Sequence, residues 1–379
     1  MRDVAARKPR GATRVAGAVA HFDAMREAAE QAKPFGDDEV ASVVNSLTNL
    51  GLHDARARGL REVLARAAHL DYKNWHMTEA TGESLSAELP ALGEPEFAKV
   101  FARPLEGGGW PAAAIAAAAR QSGVDKPWAV LVTGVNGIRK TTALYEPWFE
   151  TALAEAIVAP DGSRGGPRRV ALPTGSNSFF RQLDFNVATV ANEQFAKLYA
   201  IEDVAAYACA KEAIFARYRT ISEMLGAALV AAAKRTSANV LLETSGRDVG
   251  MYAYVDHFFP DADYHKLVLN FEIDDLAFAE TSVDARMVGE MAAGRAAVAA
   301  GDAAGIVAAN AGGPYGSAVL AGVQAASRAV WEKVAAGDAG GVGDTWYKAS
   351  LRIAPRAEGA WTLAADVDGA TVFEFSPRA

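Results

Sequence analysis

One stretch constrains the fold more than any other. Trp128-Ala-Val-Leu-Val-Thr133 is a short apolar run bounded by Pro127 and Gly134. A run that short, without polar alternation, suits a strand buried on both faces, as in a parallel sheet. It leads directly into Gly134-Val-Asn-Gly-Ile-Arg-Lys-Thr-Thr142, and a helical pattern then runs from Lys140 to about Ile157. A strand, a glycine-bearing turn and a helix in succession make the first half of a βα unit. Backbone N–H groups in such a turn can face an anion.

The pattern repeats downstream. Pro160 to Pro167 reads as a loop, and Arg169-Val-Ala-Leu172 as a second strand. Ile214, Tyr218, Ile221, Leu225, Leu229 and Ala232 mark one face of a long helix. Asn239 to Glu243 reads as a third strand and Tyr264 to Ile273 as a fourth. The expected fold is therefore α/β: a three-layer, doubly wound, mostly parallel sheet.

The flanks differ from this core. Residues 1–125 read as helices joined by polar loops. Asp37-Asp38-Glu39 opens a run with Val40, Val43, Val44 and Leu47 on one face, and Leu60, Val63, Leu64 and Ala67 repeat at helical spacing. Tyr72, Trp75 and Met77 read as packing anchors in a loop, and Pro111 as the start of a short Ala-rich helix. Beyond residue 282 the chain is again helical. Trp346–Ile353, Ala360–Ala365 and Thr371–Phe375 look like strands, with Asp368-Gly369 as a hairpin turn. The expected division is a helical region (1–125), a nucleotide-binding domain (126–335) and a small antiparallel β appendage (336–379).

Composition excludes several functions. Of 379 residues, 22% are charged and the formal net charge is −8, which disfavours nonspecific binding to nucleic acid or anionic membrane. No apolar run reaches the roughly 18 residues of a membrane span. The single cysteine, Cys209, rules out a disulfide within the chain and fits the cytoplasm. It reads as a small buried filler in preference to a reactive thiol. Arg2, Arg7, Lys8, Arg10 and Arg14 face one acid, Asp3, a pattern open to a solvated basic end or organellar import. His257 and His265 have no cysteine or carboxylate cluster at ligand spacing, so no zinc site is expected.

The turn after the first strand resembles the Walker A phosphate loop, G-x-x-x-x-G-K-[ST]. Gly134, Lys140 and Thr141 match, and Arg139 stands where the second glycine belongs. The match implies that Gly134, Asn136, Gly137, Arg139, Lys140, Thr141 and Thr142 wrap the phosphates of ATP. Lys140 would bridge the terminal phosphates and Thr141 would hold Mg²⁺. Arg139 places a side chain at a crowded point of the cradle, where it either reshapes the loop or adds a phosphate contact.

Residues 128–290 resemble the zeta-toxin-like kinases, which phosphorylate a hydroxyl of a sugar nucleotide or similar metabolite. Phe180-Arg181-Gln182 fits that family's Phe-basic-Gln stretch, and Glu243-Thr-Ser-Gly-Arg247 its Glu-Gly/Thr-x-x-Arg. The family's catalytic aspartate falls near Asn177 or Ser178, neither of which is an acid. The resemblance implies Glu243 as catalytic carboxylate, with Asp184 as second choice. It makes Thr244 and Arg247 substrate-binding and Arg286 a lid arginine on the phosphates. The implied activity is an ATP-dependent phosphotransferase. Gly134–Thr142 and Glu243–Arg247 also resemble motifs of the signal-recognition-particle type of GTPase. That family's Thr-Lys-x-Asp fails at Thr281-Ser-Val-Asp284, so the kinase resemblance ranks higher. A third reading is a scaffold with a degenerate phosphate loop and a protein partner at the terminal regions.

Overall fold

The structure is a computed structural model that describes residues 10–107, 126–144, 149–163, 179–355, 361–367 and 370–375. The chain divides into two compact units, each assembled from three segments.

The first unit comprises Met1–Phe101, Asp184–Leu225 and Arg286–Pro314, and is helical in its described residues. The helix Asp37–Asn49 starts where its acids place it. The Glu39 carboxylate accepts the Gly36 N–H at 3.1 Å, and Val40, Val43, Val44 and Leu47 are buried. Glu39 also takes a forked ion pair from Arg217, both bonds at 2.7 Å. The helix Ala57–Ala67 buries Leu60, Val63, Leu64 and Ala67, the face its spacing marked. Trp75 and Met77 correct the expected loop. They begin the helix Trp75–Glu88, because the Asn74 side chain caps it by accepting the Met77 N–H at 3.3 Å. Cys209 is also corrected: it is exposed, and Tyr207, Ala210, Ala213 and Ile214 form the buried face of its helix, Val204–Arg235.

The second unit comprises Ala102–Leu183, Gly226–Ala285 and Tyr315–Ala379, and is built on a six-stranded sheet. Its strands are β1 (Trp128–Thr133), β2 (Val240–Glu243), β3 (His265–Ile273), β4 (Tyr347–Pro355), β5 (Trp361–Val367) and β6 (Ala370–Phe375), in the order β2-β1-β3-β4-β5-β6. The first four are parallel: Val132 pairs with Glu243, Thr133 with Asn270, and Leu267 with Tyr347. Every residue of β1 is buried, which accounts for its unbroken apolar run. The C-terminal strands are not a separate appendage. β4 joins β3 in parallel, and β5 and β6 continue the same sheet antiparallel. The backbone of Val158 exchanges two hydrogen bonds with Lys348, covering the start of β4.

The expected helix from Lys140 is described as two pieces, Lys140–Leu144 and Phe149–Ala156. Phe149 stacks on Phe271 of β3 at 6.3 Å. The candidate strand Arg169–Leu172, the helix after Pro111, Asn177, Ser178 and the basic leader to Lys8 lie outside the described residues. Among the described residues, no helix is long and apolar enough to cross a membrane.

Candidate functional site

The site lies at the carboxyl ends of β1 and β2, where a doubly wound sheet leaves room for ligands. The chain leaves β1 at Thr133, whose buried hydroxyl donates to Asn270 Oδ1 at 2.9 Å; Asn270 Nδ2 in turn donates to Glu272 at 2.9 Å. The turn then adopts three left-handed residues: Gly134 (φ 125°), Gly137 (φ 86°) and Arg139 (φ 67°).

Both glycines are also required by close approach. A Cβ on Gly134 would stand 2.3 Å from the Phe271 carbonyl oxygen, and one on Gly137 would stand 2.4 Å from that of Ala279. Arg139 differs. It takes the left-handed conformation that the glycine of the pattern adopts freely, at a cost of about 1 kcal/mol. Its side chain is exposed, so it does not crowd the cradle. Val135 and Ile138 are buried and hold the turn down.

Lys140 is only 4% exposed. Its ammonium curls back to donate to the carbonyls of Gly134 at 2.7 Å and Val135 at 3.0 Å. Thr141 donates its hydroxyl to the Glu243 carboxylate, with oxygens at 2.9 and 3.1 Å. Lys140 Nζ lies 3.9 Å from the same carboxylate. Register explains the meeting. Val132 pairs with Glu243, so the residue ending β2 sits beside the start of the loop. Thr142 is exposed and Asn136 half-buried.

The segment after β2 follows the loop closely. Thr244 N–H donates to the Val132 carbonyl at 2.9 Å, and Gly134 N–H to that of Ser245 at 3.3 Å. A Cβ on Gly246 (φ 73°) would stand 2.7 Å from Thr133 Cβ, so only glycine fits there. Arg247 comes next. Its guanidinium lies 4.6 Å from the centroid of the Tyr315 ring and donates to the Tyr315 hydroxyl. Tyr315 was not legible in sequence, since it follows a Gly-Gly-Pro turn far along the chain with no motif around it.

The structure thus gathers Gly134–Thr142, Glu243, Thr244 and Arg247 within the sheet unit. Asp184 and Arg286 belong to the helical unit. The Asp184 carbonyl accepts from Asn310 Nδ2 at 3.0 Å. Arg286 donates to the Gly313 carbonyl at 3.2 Å and lies 3.5 Å from Glu290. Glu290 is the hub of a closed ionic cluster. It accepts Lys211 Nζ at 2.6 Å, the Tyr207 hydroxyl at 3.1 Å and the Ala311 N–H at 3.1 Å. Burial pushes the Lys211 ammonium below its usual pKa, against the pull of Glu290. Burial, then the charge of Glu290, pushes the phenols of Tyr199 and Tyr207 up.

Chemically, the sheet-unit site offers a backbone turn with three left-handed residues, a cation tethered to it, and a hydroxyl–carboxylate pair at its end. The paired oxygens of Thr141 and Glu243 are hard donors of the kind Mg²⁺ prefers. No protein-family model, curated protein or solved structure matches the chain.

Proposed function

We propose that the chain is an ATP-dependent phosphotransferase of the zeta-toxin-like kind, acting on a hydroxyl of a small metabolite or sugar nucleotide. The observation that carries this reading is the Thr141–Glu243 hydrogen bond beside Lys140, in a turn that keeps left-handed backbone at Gly134, Gly137 and Arg139.

Phosphoryl transfer depends on positioning and charge stabilisation more than on covalent chemistry by the protein. The loop's amides would cradle the phosphate chain, and Lys140 would move from its carbonyls toward the terminal phosphates. Thr141 and Glu243 would hold Mg²⁺, which neutralises charge on the transferring group. Their hydrogen bond shifts the reading of Glu243 from proton acceptor toward metal partner. Thr244 and Arg247 would face the acceptor, Arg247 with its guanidinium held on Tyr315. Asp184 and Arg286 keep their proposed roles as second-choice base and phosphate-binding arginine only as inferences from the family resemblance.

The test is the thermal unfolding midpoint with and without millimolar Mg-ATP and Mg-GTP, in wild type and Lys140→Ala. A ligand that binds only the native state raises the midpoint. A rise with ATP that Lys140→Ala removes supports the kinase reading. A preference for GTP would favour the GTPase, and no response to either would leave the scaffold.

A further inference from the structure

The proposed reading treats Arg139 as one member of the cradle. Three observations give it a larger role. Arg139 holds a left-handed backbone that an arginine adopts at a cost, at φ 67°. Its side chain is exposed, and among the described residues no carboxylate, carbonyl or ring engages its guanidinium. Finally, the loop's buried cation is offset by a carboxylate: Lys140 Nζ lies 3.9 Å from Glu243, and Glu243 also accepts from Thr141. The side-chain charges of Lys140 and Glu243 cancel. Without Arg139, a polyphosphate entering this loop would meet one side-chain cation, Lys140, already offset by Glu243.

We infer that Arg139 is the second phosphate-binding cation of this loop, placing its guanidinium on the polyphosphate of the nucleotide that Lys140 and Thr141 hold. This inference rests on the phosphate-loop reading above. A guanidinium offers several N–H donors in a planar fork, which suits a phosphate oxygen pair. The retained arginine then exchanges backbone ease for charge. Glycine would relax the turn and leave Lys140 as the loop's single side-chain cation.

That exchange gives a test in which stability and affinity move in opposite directions. The full chain is titrated with Mg-ATP by calorimetry, and the nucleotide-free thermal midpoint is measured in parallel, for wild type, Arg139→Gly, Arg139→Asn and Lys140→Ala. Arg139→Gly is expected to raise the nucleotide-free midpoint by about 1–2 °C. The same change is expected to weaken Mg-ATP binding by at least about tenfold. Arg139→Asn, which tolerates the left-handed backbone without charge, should lose the same affinity. Unchanged or tighter binding by Arg139→Gly, with Lys140→Ala binding-deficient, overturns the role of Arg139 and leaves the phosphate loop standing. A fall in both midpoint and affinity would mean damage to the turn, and also overturns it. No binding by wild type removes the phosphate-loop reading, and this inference with it.

Discussion

Each unit holds a lysine beside a glutamate, and the two pairs are built for different ends. In the helical unit, Lys211 and Glu290 meet at 2.6 Å with both side chains fully buried. Tyr207 and the Ala311 amide complete the carboxylate's shell, so the pair is closed. In the sheet unit, Lys140 and Glu243 stand 3.9 Å apart and the glutamate is 22% exposed. There the lysine donates to the Gly134 and Val135 carbonyls of the turn, and the carboxylate is partly open to solvent. A sealed ion pair fixes one packing arrangement, whereas an open one keeps its charges available. The sealed pair is therefore the structural one, and the open pair belongs to the site proposed to take a ligand.

The largest expected effect tests the sealed pair. Lys211→Met takes the 2.6 Å cation from a fully buried carboxylate and leaves it only Arg286 at 3.5 Å, so unfolding by urea should show a loss of about 3 kcal/mol. Adding Glu290→Leu should recover part of it, since the buried carboxylate is then gone and the cation left over, Arg286, is partly exposed. A single-variant loss below about 1 kcal/mol would break the comparison. The open pair should behave the other way. On the proposed phosphate-loop reading, Mg-ATP at a hundred times Kd would stabilise the wild type by about 2.7 kcal/mol, and Lys140→Ala should abolish that gain.

Alkaline pH should test the surroundings of the sealed pair. The phenols of Tyr199 and Tyr207 are raised above the usual 10.0, chiefly by burial. The unfolded chain then loses protons that the native chain keeps, so stability present below pH 10.0 falls as pH rises beyond it. The slope is about 1.4 kcal/mol per pH unit for each phenol. Lys211 carries the opposite sign. Its pKa is lowered from 10.5 by burial, so its contribution rises with pH up to that value. Tyr207→Phe should flatten the decline above pH 10.0 in a denaturation series. The smallest effect belongs to Thr141→Val. Losing the hydroxyl that Glu243 accepts should cost about 1 kcal/mol of stability and remove the dependence of ATP binding on Mg²⁺.

Strands were the most legible elements. The apolar run at 128–133 is β1, and the expected strands ending at Glu243 and Ile273 are β2 and β3, each shorter by one residue at its start. Helical faces at 40–47 and 60–67 were equally plain, because burial on one side imposes its period. Trp75 and Met77 look like loop in sequence because their aromatic-rich surroundings mask the cap at Asn74. Cys209 was misread as buried because its face depends on helix phase. Two residues past Tyr207 it has turned by about 200°. In the candidate site, the loop from Gly134 to Thr142 and the carboxylate Glu243 stood out in sequence. Tyr315 and Asn270 did not, since neither lies in a motif.

What the sequence determined by itself is local: where strands and helices run, and that the turn after β1 has a cation and a hydroxyl at fixed spacing. Those follow from period, propensity and residue chemistry within a few positions. What the tertiary structure decided is non-local. It carried the C-terminal strands onto the edge of the main sheet, built each unit from three separated segments, and closed Lys211 onto Glu290. It also held Arg139 in a glycine's conformation. The surrounding packing, with Gly137 against Ala279 and Lys140 drawn onto the turn's carbonyls, fixes the backbone there. A conformation imposed by the fold outweighs a local preference of about 1 kcal/mol; the pattern marks position 139 as a glycine's, and the packing shows that an arginine adopts the glycine's backbone there.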